Sequence, residues 1–88
     1  MKKDAIKIFL KENGIILEDF LNIPDDMKIS RKAFDGHMKT IENGSETSKE
    51  ISTLSLRWQY FYKDKLNKYL NIKGNKFINI NVNKIFDQ

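Results

Sequence analysis

The chain has 88 residues, no cysteine and a formal net charge of +4. This length is below the usual range for two domains, so we expect a single domain spanning residues 1–88. The missing cysteines exclude a disulfide framework and a thiol nucleophile, and they are typical of a reducing, cytoplasmic environment. Hydrophobic residues make up 40% of the chain and aromatic residues 11%, which is enough for a packed core.

The charge is unevenly distributed. Residues 1–44 carry eight basic and eight acidic side chains, whereas residues 45–88 carry eight basic and four acidic ones. A basic half indicates a polyanionic partner. The alternative is that an AT-rich coding sequence favours lysine, which supplies fourteen of the sixteen basic residues.

The N-terminal third predicts two short helices. Asp4 is placed to cap a helix over residues 4–12, and Asn13-Gly14 ends it. A second helix is expected over residues 17–22, and Pro24 breaks it. The residues expected to face the core are Ala5, Ile6, Phe9, Leu10, Phe20 and Leu21.

A third helix is predicted over residues 31–42, with Ser30 as its N-cap and Asn43-Gly44 as its stop. Gly36 in its middle costs about 1 kcal/mol relative to alanine. Its apolar face, at three- and four-residue spacing, comprises Ala33, Phe34, His37, Met38 and Ile41.

The C-terminal half predicts one long helix followed by a strand. Thr47 and Glu50 have the spacing of a capping box and open a helix over residues 48–70. Within residues 77–83, Ile78, Ile80 and Val82 alternate with asparagines, which is typical of a half-buried strand. Residues 69–72 are a candidate partner for a hairpin. The expected apolar face of the helix comprises Ile51, Leu54, Trp58, Phe61, Leu66, Tyr69 and Leu70. The predicted fold is therefore mainly α, with four helices and a short C-terminal β-strand or hairpin.

Three motifs suggest a family. The stretch 6–21 ends its first helix in Lys-Glu-Asn-Gly and continues into Glu18-Asp19-Phe20-Leu21. Ile29-Ser30-Arg31 follows, and Ile41-Glu42-Asn43-Gly44 closes the segment. Together they resemble the opening, the helix core, the Val-Ser-Arg entry and the Ile-Glu-x-Gly end of Cro/repressor-type helix-turn-helix domains. The resemblance covers residues 6–44 and departs from the family in two places, since both the turn after the second helix and the segment 30–44 are several residues longer.

The resemblance implies that the third helix lies in the major groove of DNA. Its outward residues would contact base edges and phosphates, with Arg31 placed for a bidentate contact to guanine. The alternative for the same residues is an ordinary solvated helix face. The C-terminal strand is similar to the one through which many Cro-like proteins pair, so a homodimer is expected. The candidate DNA-binding residues are Ser30, Arg31, Lys32, Asp35 and Lys39.

The segment from Arg57 to Lys65 is rich in aromatic and basic residues. Tyrosine beside arginine and lysine is typical of protein interfaces, and aromatic rings also stack on unpaired bases. We expect Trp58 and Phe61 to belong to the core, and Tyr60 and Tyr62 to belong to an interface, either a dimer seam or a partner surface. The candidate partner or dimer interface comprises Arg57, Tyr60, Tyr62, Lys63, Lys65, Ile78 and Ile80.

The sequence lacks the patterns of catalysis and of cofactor binding. His37 is the only histidine and has no cysteine or spaced carboxylate partners, so no metal site is expected. Asp25-Asp26 follows a proline and is best explained as a turn. Charged residues at positions 4, 7, 11 and 12 interrupt every apolar run near the N-terminus, so neither a signal peptide nor a membrane span is expected.

These observations predict a binding protein rather than an enzyme. The first hypothesis is a small DNA-binding regulator, of the kind carried by phages, plasmids or other mobile elements. The second is a small inhibitor or modulator of a host protein, for example an anti-defence protein, that acts through the aromatic-basic helix at residues 57–69. A third is an assembly module that associates through its strand.

Overall fold

The computed structural model describes residues 4–42 and 56–74. Within these ranges the chain is mainly helical and contains no strand, which confirms the predicted helical class. The predicted strand at residues 77–83 lies outside the described residues. The four α-helices are α1 (Ala5–Glu12), α2 (Leu17–Asn22), α3 (Arg31–Glu42) and α4 (Leu56–Lys73), and one 3-10 turn spans Asp25–Met27.

Helix α1 ends as the sequence predicts but begins differently. Asp4 is the N-cap residue, yet its side chain makes no capping hydrogen bond, and its backbone has a φ of 59°. The Asp4 carbonyl instead accepts a hydrogen bond from the Ile8 N–H at 2.8 Å. At the other end the Asn13 side chain donates to the Phe9 carbonyl at 2.8 Å, and Gly14 turns the chain with a φ of 67°. The expected stop at Asn13-Gly14 is therefore confirmed.

The connection between α2 and α3 is an eight-residue linker over residues 23–30. It contains a cis Ile23–Pro24 bond and the 3-10 turn, whose Met27 side chain is buried. The Ile29 N–H donates to the Leu21 carbonyl at 3.1 Å and so returns the chain to the end of α2. The linker thus folds back on α2 before α3 begins.

Helix α3 begins and ends where the sequence predicts. The Ser30 hydroxyl accepts a hydrogen bond from the Ala33 N–H at 3.0 Å, which confirms Ser30 as the N-cap. Phe34 and Met38 are buried, while His37 is half-buried. Gly36 lies in the middle of the helix, and the burial of its neighbours on the inner face outweighs the helix-weakening effect of glycine.

Helix α4 extends three residues beyond the predicted end, to Lys73. Residues 69–72 are helical, so the predicted hairpin with these residues is wrong. Tyr69 and Leu70 continue the buried stripe of the helix, and this burial favours helix over strand. Gly74, with a φ of 98°, follows the last helical residue. The predicted start of this helix, at residues 48–55, lies outside the described residues.

The core lies where α4 packs against the N-terminal helices. Tyr62 and Leu66 on α4 are fully buried, as are Ile6 on α1, Phe20 on α2 and Phe34 on α3. The remaining buried members of this cluster are Phe9, Leu10, Leu21, Met38, Tyr69 and Leu70. Every described helix therefore contributes to one core.

Candidate nucleic-acid interface

The inner side of α3 is held against α4 by aromatic contacts. The Phe34 ring meets the Tyr62 ring edge-on, with centroids 5.8 Å apart. His37 stacks on Trp58 at 4.2 Å between ring centroids, and its Nδ1 lies 2.7 Å from the Tyr62 hydroxyl. These contacts fix the rotation of α3 about its own axis, and therefore decide which of its residues face solvent.

The five candidate DNA-binding residues, hereafter the α3 face, are all exposed. They are Ser30, Arg31, Lys32, Asp35 and Lys39. Lys32, Asp35 and Lys39 lie on the outer side of the helix, whereas Ser30 caps it and Arg31 lies nearer the side of Met38, where it reaches Glu18 on α2. Sequence periodicity alone predicts that these positions are exposed, because the apolar face of an amphipathic helix recurs every three to four residues and the positions between are polar.

Arg31 is held by two carboxylates. Its Nη1 donates to Glu18 on α2 at 2.9 Å, and its Nε donates to the two carboxylate oxygens of Asp35 at 3.1 and 3.2 Å. Asp35 first, and Glu18 second, raise the pKa of the already basic guanidinium. A bidentate contact to guanine needs two N–H groups on one edge of the guanidinium. Arg31 must therefore exchange at least one of these carboxylates before it can read a base in that way.

Lysines around the α3 face carry unneutralised charge. Lys28 precedes α3, and Lys32 and Lys39 lie on it; all three side chains are exposed. Among the residues whose side chains the structure describes, 4–39 and 57–74, no acidic group forms an ion pair with any of them. These lysines, more than Arg31, supply the positive potential of this side of the molecule.

The second candidate surface, on α4, is only partly at the surface. Arg57 and Tyr60 are exposed, and the Lys63 ammonium lies 5.9 Å from the centre of the Tyr60 ring. Tyr62 and Lys65, however, are 0% exposed, so their assignment to a partner interface is wrong. The predicted Ile78 and Ile80 lie outside the described residues.

Tyr62 and Lys65 are buried because of the way α4 is rotated about its own axis. Positions 58, 62, 65, 66 and 69 follow one another at three- and four-residue spacing and form one helix face. Tyr62 lies at the centre of that face and packs against α3, while Trp58 and Phe61 are half-buried at its edge. The expectation that Trp58 and Phe61 pack on the core is confirmed, but the most buried residue is the one assigned to the surface.

Lys65 is the residue whose role sequence reasoning missed. Its ammonium donates to the carbonyls of Leu21, Ile23 and Met27 at 3.3, 3.1 and 2.8 Å. These oxygens come from the end of α2 and from the linker, so one side chain of α4 fixes the path of the chain between α2 and α3. We call this arrangement the lysine clamp. One sequence feature could have predicted this role: Lys65 lies within an otherwise apolar helix stripe, and a charge at such a position must be buried with hydrogen-bond partners.

Burial lowers the pKa of Lys65 to about 8, and the nearby Asp26 opposes this shift. The three carbonyl oxygens also favour the charged form, because each accepts a hydrogen bond from it. Near neutral pH the amine is therefore mostly protonated. The lysine clamp is thus a charged contact in the interior of the domain.

A second polar contact joins α2 to α4. The Tyr69 hydroxyl donates to Asp19 at 2.5 Å, and the Lys73 ammonium lies 3.1 Å from the same carboxylate oxygen. The hydrogen bond from Tyr69, and then that from Lys73, lower the pKa of Asp19. Asp19 is therefore a structural carboxylate rather than part of the α3 face.

Comparison with protein families, with characterised proteins and with solved structures finds no significant match. The resemblance to Cro/repressor-type domains therefore stays a prediction. In the described parts of the chain, no helix is both long enough and apolar enough to cross a membrane. Those same parts contain no group of three or more histidine or carboxylate side chains arranged to hold a metal ion.

Proposed function

We propose that this protein is a DNA-binding regulator that binds duplex DNA through the α3 face, with α2, the linker and α3 acting as a helix-turn-helix-like unit. The observation that carries the proposal is the exposed α3 face with Lys28, Lys32 and Lys39 free of acidic partners among the described residues. Phosphate neutralisation by lysine supplies most of the affinity of such an interface. The proposal assigns binding rather than catalysis to the molecule.

The three lysines and Arg31 have different roles in this proposal. Lys28, Lys32 and Lys39 contact phosphates, because a flexible ammonium suits a point charge. Arg31 reads a base only when DNA replaces Glu18 or Asp35 as its acceptor. Glu18 therefore restrains Arg31, and its removal is expected to tighten DNA binding.

The test is fluorescence anisotropy of a labelled duplex, titrated with protein at several salt concentrations. Affinity is expected to fall steeply with salt, and Lys32→Gln or Lys39→Gln to reduce the log–log slope by about one each. The matched control is Lys68→Gln, which makes the same change in net charge on α4, where Lys68 pairs with Asp26 and Asp64. It is expected to leave the slope unchanged.

Two results would contradict the proposal. No binding at low salt would exclude a DNA-binding function for the chain. An equal loss of affinity from Lys68→Gln and Lys32→Gln would show that net charge, and not the α3 face, determines binding. Glu18→Gln provides a further check, because severalfold tighter binding is expected if Arg31 is part of the interface.

A second candidate is a protein modulator that binds a host protein through α4. It is favoured by the exposure of Tyr60, which presents 62% of its surface to solvent beside Lys63 and near Arg57. In that case Tyr60→Ala abolishes capture of a stoichiometric partner, whereas Lys32→Gln does not. If instead Lys32→Gln weakens DNA binding and Tyr60→Ala does not, the result supports DNA binding through the α3 face.

The proposal includes a homodimer, since two α3 helices placed about one DNA turn apart would read a two-fold symmetric site. Sedimentation of the free protein and of its complex with DNA measures the stoichiometry. Two chains per DNA site are expected. A single chain bound at saturation on a palindromic site would exclude the dimer.

A further inference from the structure

A cavity of about 310 Å³ opens between α1 and the beginnings of α2 and α3. None of the residues of the lysine clamp is among its described lining residues. Its lining residues are Lys7, Leu10, Lys11, Ile15, Leu17 and Arg31.

The cavity follows from the way the chain reverses after α1. Lys7 and Lys11 are one helical turn apart and share one side of α1. Gly14 adopts a φ of 67°, and the Ile15 N–H then donates to the Leu10 carbonyl at 2.8 Å. This hydrogen bond brings the segment leading into α2 back beside the two lysines, which leaves a recess between them.

The lining has two chemically different parts. Leu10 is buried and Ile15 and Leu17 are half-buried, so the floor is apolar. The remaining three residues are two lysines and one arginine, and no carboxylate is among the described residues that line the cavity. Glu18 reaches the Arg31 guanidinium, but it is not one of the lining residues.

We propose that this cavity binds a small organic anion, a monocarboxylate with an apolar body. The carboxylate would lie beside the ammonium groups of Lys7 and Lys11 and the apolar body on the aliphatic floor, with Arg31, which already pairs with Glu18 and Asp35, at the border of the site. The volume is at the lower end of the range for small-molecule sites, which suits a ligand of about ten non-hydrogen atoms. An inorganic phosphate would meet the cations but leave the apolar floor in contact with water.

This inference goes beyond the proposed function and does not depend on it. Arg31 belongs to both the cavity and the α3 face, so the two are linked only if both proposals hold. The test below uses protein and ligand without DNA. Its failure would therefore leave the DNA-binding proposal standing, and failure of DNA binding would leave the cavity proposal standing.

The test is a titration of ¹⁵N-labelled protein with octanoate and, separately, with phenylacetate, followed by amide chemical shifts. Saturable shifts are expected for the amides of residues 11–17, with a Kd on the order of 1 mM. Phenylacetamide, which has nearly the same shape without the charge, and inorganic phosphate are the controls. Both are expected to bind at least about fivefold more weakly, since each lacks one of the two interactions.

Matched variants locate the site. Lys7→Gln combined with Lys11→Gln is expected to weaken octanoate binding about tenfold, since each exposed ion pair contributes modestly. Lys28→Gln combined with Lys39→Gln makes the same change in net charge outside the cavity and is expected to leave the Kd within about twofold. All four lysines are wholly or partly exposed. Lys7 contacts one core side chain, since its ammonium lies 5.9 Å from the centre of the Phe34 ring, so the urea midpoint of each double variant is measured alongside its Kd.

Four outcomes would overturn the proposal. Shifts that grow linearly with ligand, or that spread over the whole surface, would mean non-specific association. If phenylacetamide binds equally well, the cations do not contribute to binding. If phosphate binds equally well, the apolar floor does not contribute. Equal effects of the two double variants would show that only net charge matters.

Discussion

Replacement of Lys65 by methionine tests the lysine clamp. The substitution removes the ammonium but keeps an unbranched apolar side chain of similar length in the core. In the native protein the ammonium donates to the carbonyls of Leu21, Ile23 and Met27. Lys65→Met therefore leaves the Ile23 and Met27 carbonyls without this donor, whereas the Leu21 carbonyl still accepts a hydrogen bond from the Ile29 N–H.

The expected loss of stability follows from two opposing effects. A buried acceptor without a partner costs about 1–3 kcal/mol, and the two carbonyls of Ile23 and Met27 are affected. The variant no longer desolvates a charge, and water reaches the carbonyls at the more exposed end of the linker, so part of that cost is recovered. We expect the free energy of unfolding to fall by about 2–4 kcal/mol, a large share of the 5–15 kcal/mol typical of a domain.

Urea unfolding at pH 7, followed by Trp58 fluorescence and by circular dichroism, measures this change. Trp58 is the only tryptophan and lies beside α3, so it reports on the α3–α4 contact. Lys68→Met is the matched control, because Lys68 is half exposed and makes only surface ion pairs. A stability of Lys65→Met within about 0.5 kcal/mol of the parent, or an equal loss from Lys68→Met, would refute the structural role of the clamp.

The same residue predicts a pH dependence. The pKa of Lys65 is lowered to about 8 in the folded state from 10.5, so between these values the unfolded chain binds more protons. The free energy of unfolding therefore rises with pH above about 8, and this contribution is lost as the pH falls through the folded pKa. Above pH 10 the raised pKa values of Tyr62 and Tyr69 act in the opposite direction. The rise between pH 8 and 10 should be present in the parent and absent from Lys65→Met; a rise in both would assign it to another group.

Three further predictions concern α3 and its neighbours. Burial lowers the pKa of His37 below 6.5, so its contribution to stability is complete above pH 6.5 and lost as the pH falls through the folded pKa. The imidazolium stacked on Trp58 should quench its fluorescence, so the quenching should show the titration midpoint of His37. A titration that persists in His37→Phe would contradict the assignment. Gly36→Ala is expected to raise the free energy of unfolding by about 0.5–1 kcal/mol, since an added methyl group meets nothing within 4 Å; a lower melting temperature would show that the site is strained. Tyr69→Phe should cost about 1 kcal/mol through the lost hydrogen bond to Asp19, and an unchanged urea midpoint would mean that this bond is not formed in solution.

The sequence was sufficient to predict α1, α2 and α3 because strong local signals mark their ends. Asn13-Gly14 supplies a side-chain cap and a positive φ, and the Ser30 hydroxyl caps α3. These signals act within a few residues and do not depend on the tertiary fold. The exposure of the α3 face follows from the same local periodicity.

The rotation of α4 and the partners of its polar residues could not be predicted in the same way. Aromatic residues occur on several sides of this helix, so periodicity alone did not decide between Phe61 and Tyr62 for the core. The three carbonyls bound by Lys65 lie 38 to 44 residues away in the chain. Such distant contacts depend on how the linker folds, and no local pattern encodes it.

Helix α4 also determines when the protein can fold during its synthesis. Tyr62 contacts α3, Lys65 contacts the linker and Tyr69 contacts α2. A nascent chain that ends before residue 56 therefore exposes Phe20 and Phe34, which the finished protein buries completely. The ribosome must release most of the chain before the N-terminal helices can form a stable unit. Premature termination within the second half of the message is thus expected to yield unfolded chains that proteases remove, rather than a shortened protein that retains a folded α3.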